Sequence, residues 1–270
     1  MNKLKRMRPL LGTFVEIGVI TKQNNGADAI SSAFKQIEII QKLLSFHDRN
    51  SDLTKLNKFG SKGVELNPIS ADVLRLALHM TGITQGEFNC TVGGTLIRKG
   101  ILPNHSRIQP LAVGTADDVT LNGCVATLLR PVSITLDGIA KGYAVDQAIN
   151  TLQKNGAHSG WVNAGGDLRV FGELEVPVYR RELDESLSFL GDFSNTAVAT
   201  SSIHTSHTPR FPGMIVDSRS ITPKSGVWTV KASMSWLADA LTKVAGLAAE
   251  HTVSNRLASL GGELIYSKPL

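Results

Sequence analysis

Apolar positions along the chain switch between a period of two and a period near three and a half, and the switches mark its elements. Leu11, Thr13, Val15, Ile17 and Val19 alternate and predict a strand. Gln23-Asn24-Asn25-Gly26 follows as a turn, and Ile30, Phe34, Ile37, Ile40 or Gln41, and Leu44 then make a helical stripe over residues 27–46. Asp48-Arg49-Asn50-Ser51-Asp52 breaks that helix, and Ser51 or Asp52 supplies a cap for a short one over residues 53–57. Asn67-Pro68 predicts a turn, and Ser70 the cap of a helix running to about Thr81, with Val73, Leu74, Ala77 and Leu78 on its buried side. Residues 84–100 are spotted with glycine and end in a helical or irregular piece. Residues 101–133 hold Pro103, Pro110 and Pro131 and short β-like runs at Val119-Thr120-Leu121 and Val125-Ala126-Thr127-Leu128, which read as hairpins.

Residues 134–173 predict strand, glycine turn, helix, loop, strand, glycine turn and strand. Further strands are expected over 174–198, and a Ser/Thr/His/Pro-rich loop over 201–213. A turn at 219–223, a strand at Trp228–Ala232, a helix over 233–249 and a short strand at Leu264-Ile265-Tyr266 complete the chain. Strands and helices mix without regular alternation, and no repeat or low-complexity linker divides them. The expectation is an α+β fold with largely antiparallel sheet, a single domain over residues 1–270.

Two stretches carry candidate chemistry. The run from Gly138 to Asp146 opens a helix with exposed amides and one lysine, Lys141, an arrangement suited to a phosphate. Val162-Asn163-Ala164-Gly165-Gly166-Asp167 lets a second backbone segment turn sharply nearby. Farther on, Asp239 and Thr242 share one helix face, so a carboxylate and a hydroxyl could join a backbone carbonyl and phosphate oxygens around a hard cation. The plainer reading of Asp239 is a carboxylate near a helix N-terminus. Asp217 is either a turn-capping carboxylate or a reactive one. His204 and His207 lie in the 201–213 loop without the helix that a zinc pair wants.

Composition narrows the partners. Apolar residues make up 42% and charged residues 19%, as in ordinary globular proteins. The net charge of +5 (28 − 23) rests partly on Lys3, Lys5, Arg6 and Arg8, and no basic stripe interleaves with aromatics, which argues against nucleic acid. Cys90 and Cys124 are too few and too far apart for a metal knuckle or a disulfide framework. No apolar run is long enough to span a bilayer. Glu16 interrupts the apolar stretch after the basic residues and no small-residue cleavage site follows, so a cytoplasmic location without an export signal is expected.

IAKGYAVDQA and WVNAGGDLRVFG resemble the core of the ApbE family, the FAD:protein FMN transferases. Leu11-Gly12-Thr13, Ser45-Phe46, Gly86-Glu87-Phe88-Asn89, Ala199-Thr200-Ser201, Met214-Ile215-Val216-Asp217 and Ala238-Asp239-Ala240-Leu241 agree in the family's order. The resemblance implies two interlocked α/β lobes with FAD between them. It also implies transfer of FMN from FAD to a serine or threonine hydroxyl of an acceptor protein, with AMP leaving and magnesium assisting. It places Leu11, Phe46, Phe88, Asn89, Thr135, Lys141 and Val216 against the cofactor, and Gly138, Asp239 and Thr242 around the metal. Asp217, with His207 as a substitute base, is assigned to the transfer step.

The chain also departs from the family pattern. Family members place threonine four residues after the metal aspartate, where this chain has Lys243, which could supply positive charge in the metal's place. Met214 stands where the family has a histidine thought to act in transfer, and a thioether takes no proton. Thr135 replaces a frequent aspartate, and Asn89 a carboxylate. Many relatives are exported lipoproteins with a cysteine as first mature residue, and here no cysteine lies near the start. The alternatives are an FAD-binding relative without catalysis and a pyrophosphatase releasing FMN and AMP.

Overall fold

A computed structural model describes residues 2–22, 25–106, 108–182, 186–203, 215–218 and 226–269. The chain forms two compact units, one made of Met1–Glu38, Lys141–Ser202 and Ser225–Leu270, the other of Ile39–Ala140 and Ile203–Lys224.

The first unit is built on a seven-stranded sheet. Its strands are β1 (Asn2–Leu10), β2 (Thr13–Thr21), β6 (Ser159–Ala164), β7 (Asp167–Phe171), β10 (Ala197–Ile203), β11 (Gly226–Ala232) and β12 (Gly262–Pro269), side by side in that order. The pairings β1–β2, β2–β6, β6–β7, β7–β10 and β11–β12 are all antiparallel. β6 and β11 are buried almost throughout. Helix α1 (Gly26–Leu44) buries Ile30, Phe34 and Ile37, as its stripe predicts. Helix α5 spans Ala140–Lys154 and α6 Ser235–Leu247; α6 lies along β11 and also meets β7 and β12. A separate hairpin joins β8 (Val176–Arg181) to β9 (Leu187–Phe193).

The second unit carries a three-stranded sheet in the order β3 (Val64–Glu65), β5 (Val125–Leu128), β4 (Val119–Asn122), with helices α2 (Asp52–Phe59), α3 (Pro68–Ile83) and α4 (Gly93–Arg98). Ser51 caps α2, its Oγ accepting from the Thr54 amide at 3.0 Å. The mixture of helices with antiparallel sheet is the α+β class read from the pattern.

Two elements go beyond the sequence pattern, β1 and a short helix near the end, and two local expectations, the α3 cap and the strand before the first glycine turn, are corrected. The basic segment before Leu11 is itself a strand, β1, which pairs in register from Asn2↔Thr21 to Leu10↔Thr13. It sits at a sheet edge and is mostly exposed on both faces, so no apolar alternation announces it. The α3 cap is Asn67, whose Oδ1 accepts from the Ile69 amide at 3.0 Å, with Pro68 opening the helix; Ser70 lies inside it and donates to Asp52 at 2.9 Å. Residues 134–136 form no strand: the Asn57 side chain clasps both backbone groups of Ile134, at 2.7 and 2.9 Å, and the Thr135 amide donates to the Cys90 carbonyl at 2.8 Å. Finally, Val253–Ser259 forms a short helix, α7, against β12.

Candidate functional site

The reactive side chains of the first unit gather where two hairpins and two helices begin. β1 and β2 are joined by two residues, Leu11 and Gly12, both with positive φ (55° and 70°). β6 and β7 are joined by Gly165 and Gly166, with φ of 63° and 106°. Two-residue turns with both φ positive follow the twist of the strands, and they explain the glycines. Gly165 also has no room for a side chain, because a Cβ there would stand 2.4 Å from Thr13 Oγ1.

The second hairpin sets Asp167 at the head of β7. Asp167 is buried and accepts a short hydrogen bond from Lys141, the second residue of α5. One residue on, the Gly142 amide donates to Asp239 Oδ2 at 3.3 Å. Gly142 sits in a helix but serves a close crossing: a Cβ would fall 2.3 Å from the Ser235 carbonyl oxygen of α6. Asp146, one turn further, fixes that crossing. Its carboxylate accepts from the amides of Ser235 (3.0 Å) and Trp236 (2.9 Å), the first residues of α6, and from Arg169 at 2.7 Å.

Asp239 itself is fully buried in α6. The Lys243 ammonium bonds its Oδ1 and reaches the Asp239 carbonyl at 3.0 Å, Thr242 Oγ1 at 3.1 Å and Ser201 Oγ at 3.3 Å. Thr242 Oγ1 donates to the Asp239 carbonyl at 2.7 Å and shares a hydrogen bond with Ser201 Oγ, also at 2.7 Å.

Two carboxylates and two ammonium groups thus form one cluster, and their protonation is split. Burial raises Asp239, but the charges of Lys243 and Lys141 and the bonds from Lys243 and Gly142 outweigh it and hold the carboxyl below its ordinary range. Asp167 goes the other way, pushed up to about 6 by burial and by the neighbouring Asp239 charge, against the pull of Lys141 and Lys243. Burial also raises Asp146, against the Trp236 amide, Arg169 and the Ser235 amide.

The expected metal ligands do not fit a divalent ion as they stand. Asp239 and Thr242 do share a face, but the oxygens they offer already surround the Lys243 ammonium. Among the described residues, no group of three or more His, Cys, Asp or Glu is arranged to hold a metal. Gly138 lies in a half-buried turn of the second unit.

The remaining candidates of the second unit are held by local bonds. Phe46 is buried; its ring centroid stands 5.4 Å from that of His105, whose Nε2 contacts the Phe46 carbonyl at 2.6 Å. Both line a cavity of about 310 Å³ together with Asn57, Ile108, Arg130 and Ser133, at the small end of the range for ligand pockets. Phe88 is buried. Asn89 ties its loop, donating to the Gly114 carbonyl at 3.0 Å and accepting from Thr91. Thr135 Oγ1 donates to Asp137 at 3.1 Å. Asp217 is buried and Val216 half-buried, and the neighbouring Ser218 hydroxyl donates to the Gly86 carbonyl at 2.7 Å. His204, His207 and Met214 lie outside the described residues. Cys90 is buried with its thiol pushed up to about 11, which leaves it unreactive.

The sequence reading named Lys141, Asp239 and Thr242 but missed Asp167 and Asp146 as parts of the site. Asp167 directly follows the glycine pair, which was the available signal. A sequence model of the ApbE family matches residues 11–266, a stretch that runs through both units. The chain belongs to the ApbE family. It is similar to the FAD:protein FMN transferase of Haemophilus influenzae, with 30% identity over 146 residues, and to that of Vibrio cholerae, with 24% over 147. These alignments cover 48% and 50% of this chain, and only 42% and 44% of those ApbE relatives' own lengths. The crystal structure of the ApbE protein from Thermotoga maritima superposes with a TM-score of 0.85 at 23% identity, covering 97% of this chain and 93% of that one, so the ApbE fold is shared.

Proposed function

We propose that the chain is a flavin transferase that moves FMN from FAD onto a serine or threonine hydroxyl of an acceptor protein. The hydroxyl oxygen bonds to the phosphorus of the FMN half and loses its proton. The bridging P–O bond breaks, and AMP leaves with the bridging oxygen. Phosphoryl transfer of this kind depends chiefly on positioning and on neutralising charge. The observation that carries the reading is the cluster of Lys141 and Lys243 on the buried carboxylates of Asp167 and Asp239, within an ApbE family member. Both ammonium groups suit the charge that develops on a cleaving diphosphate. Magnesium assistance is not carried into this reading, because Lys243 already stands among the oxygens that would hold the ion. Leu11, Phe46, Phe88, Asn89, Thr135 and Val216 remain the proposed flavin contacts, and Asp217 or His207 the base for the acceptor hydroxyl.

The test mixes the purified protein with FAD and a peptide bearing a serine or threonine acceptor. The expected result is a peptide whose mass rises by one esterified FMN, together with one equivalent of AMP. Free FMN and AMP without labelled peptide would make the protein a pyrophosphatase, and unaltered bound FAD would make it a carrier.

A further inference from the structure

Lysine side chains four residues after a carboxylate on a helix ordinarily lie along the surface with the ammonium in water. Lys243 does not. Its side chain keeps 20% of its exposure, that of its partner Asp239 only 1%, and the ammonium bends back onto the carbonyl of its own helix. Its hydrogen-bond acceptors there are one carboxylate, one carbonyl and the hydroxyls of Thr242 and Ser201. An oxygen-only set built on a buried carboxylate is the donor chemistry of a hard cation. It also suits an ammonium, whose three donors are shared among the four oxygens. The set is held from outside as well, since the Gly142 amide fixes the second carboxylate oxygen and Ser201 comes from β10. A divalent ion at the same oxygens would stand directly against the ammonium charge, so the two cations compete for one place.

We propose that Lys243 is the resident cation of the Asp239 oxygen cluster. The cluster binds no divalent metal, and the ammonium supplies one positive charge where a metal ion would supply two. This goes beyond the transfer reading and does not depend on it, since it concerns what the cluster binds whether or not FAD is cleaved.

The experiment uses Mn²⁺ alone as probe and follows the free-ion signal by electron paramagnetic resonance. The wild-type chain is expected to leave that signal unchanged at concentrations where Lys243→Thr removes one equivalent per chain, at least tenfold more tightly. Adding Asp239→Asn to Lys243→Thr should return the signal. The proposal is overturned if the wild type captures one Mn²⁺ that Asp239→Asn releases, or if folded Lys243→Thr captures none. Circular dichroism reports whether that variant folds. Should it not fold, the wild type and Asp239→Asn decide: no capture by the wild type supports the proposal, and capture lost with the carboxylate overturns it.

Discussion

At Asp167 two carboxylates compete for charge, and Asp239 keeps it. The carboxyl of Asp167 rises from 3.8 to about 6 in the folded chain. Between those values the folded state holds a proton that the unfolded chain has released, so stability falls as pH rises through the window. Asp239 shifts downward and acts below the window, where its contribution is lost as pH falls. Asp167→Asn mimics the protonated form. Measured by denaturant unfolding, it should gain on the wild type as pH rises from about 4 to about 6, by on the order of 2 kcal/mol. A difference that stays flat with pH would mean that Asp167 titrates normally. The pairing of Asp239 with Thr242 was legible beforehand because helix spacing alone brings them together. Asp167 was not, because its burial depends on the register of β6 and β7 and on Lys141 reaching across to it. Lys243 was visible as a departure from the family pattern, but its bend back onto oxygen was not, since a helix period fixes where a side chain starts and not where a long one ends.

Among the elements, the α5–α6 crossing holds the cluster together. Gly142 lets the helices touch, and Asp146 fixes the angle by capping the first amides of α6. Alanine in place of a helical glycine ordinarily stabilises by about 1 kcal/mol. Here the new methyl would meet backbone at 2.3 Å, and backbone cannot step aside as a flexible side chain can. The clash should win, and Gly142→Ala should lower stability by about 2 kcal/mol net and move Asp239 off the Gly142 amide. Thermal melting and the FAD assay check both effects. Strong alternation and helical stripes predicted β2, α1 and the helix that became α6. The edge strand β1 and the stretch 134–136 escaped because what organises them is a neighbouring strand in one case and the Asn57 side chain in the other.

For the molecule as a whole, part of the positive charge lies on β1, the outer strand of the large sheet, which carries Lys3, Lys5, Arg6 and Arg8 and no acidic residue. Two of their ion pairs lie at the surface, Lys5 with Glu16 at 2.9 Å and Arg8 with Glu38 at 3.3 Å, and such pairs add little stability. Their larger effect is to make an open strand edge repel a second copy. Replacing all four with threonine would cut the net charge from +5 to +1 (5 − 4). Light scattering should then show concentration-dependent association, while stability in dilute solution changes by less than about 1 kcal/mol. Unchanged scattering would assign the guarding role elsewhere.

The order of segments in the first unit has its own consequence during synthesis. Its sheet needs β1 and β2 from the first segment but β11 and β12 from the last, and α6, with Asp239 and Lys243, comes between those two. While residues 39–140 are being made, the nascent polypeptide holds only β1 and β2 of that sheet and none of the α6 oxygens. The reactive cluster therefore assembles only after α6 has been made, and until then the unfinished strand edges are a natural client for chaperones.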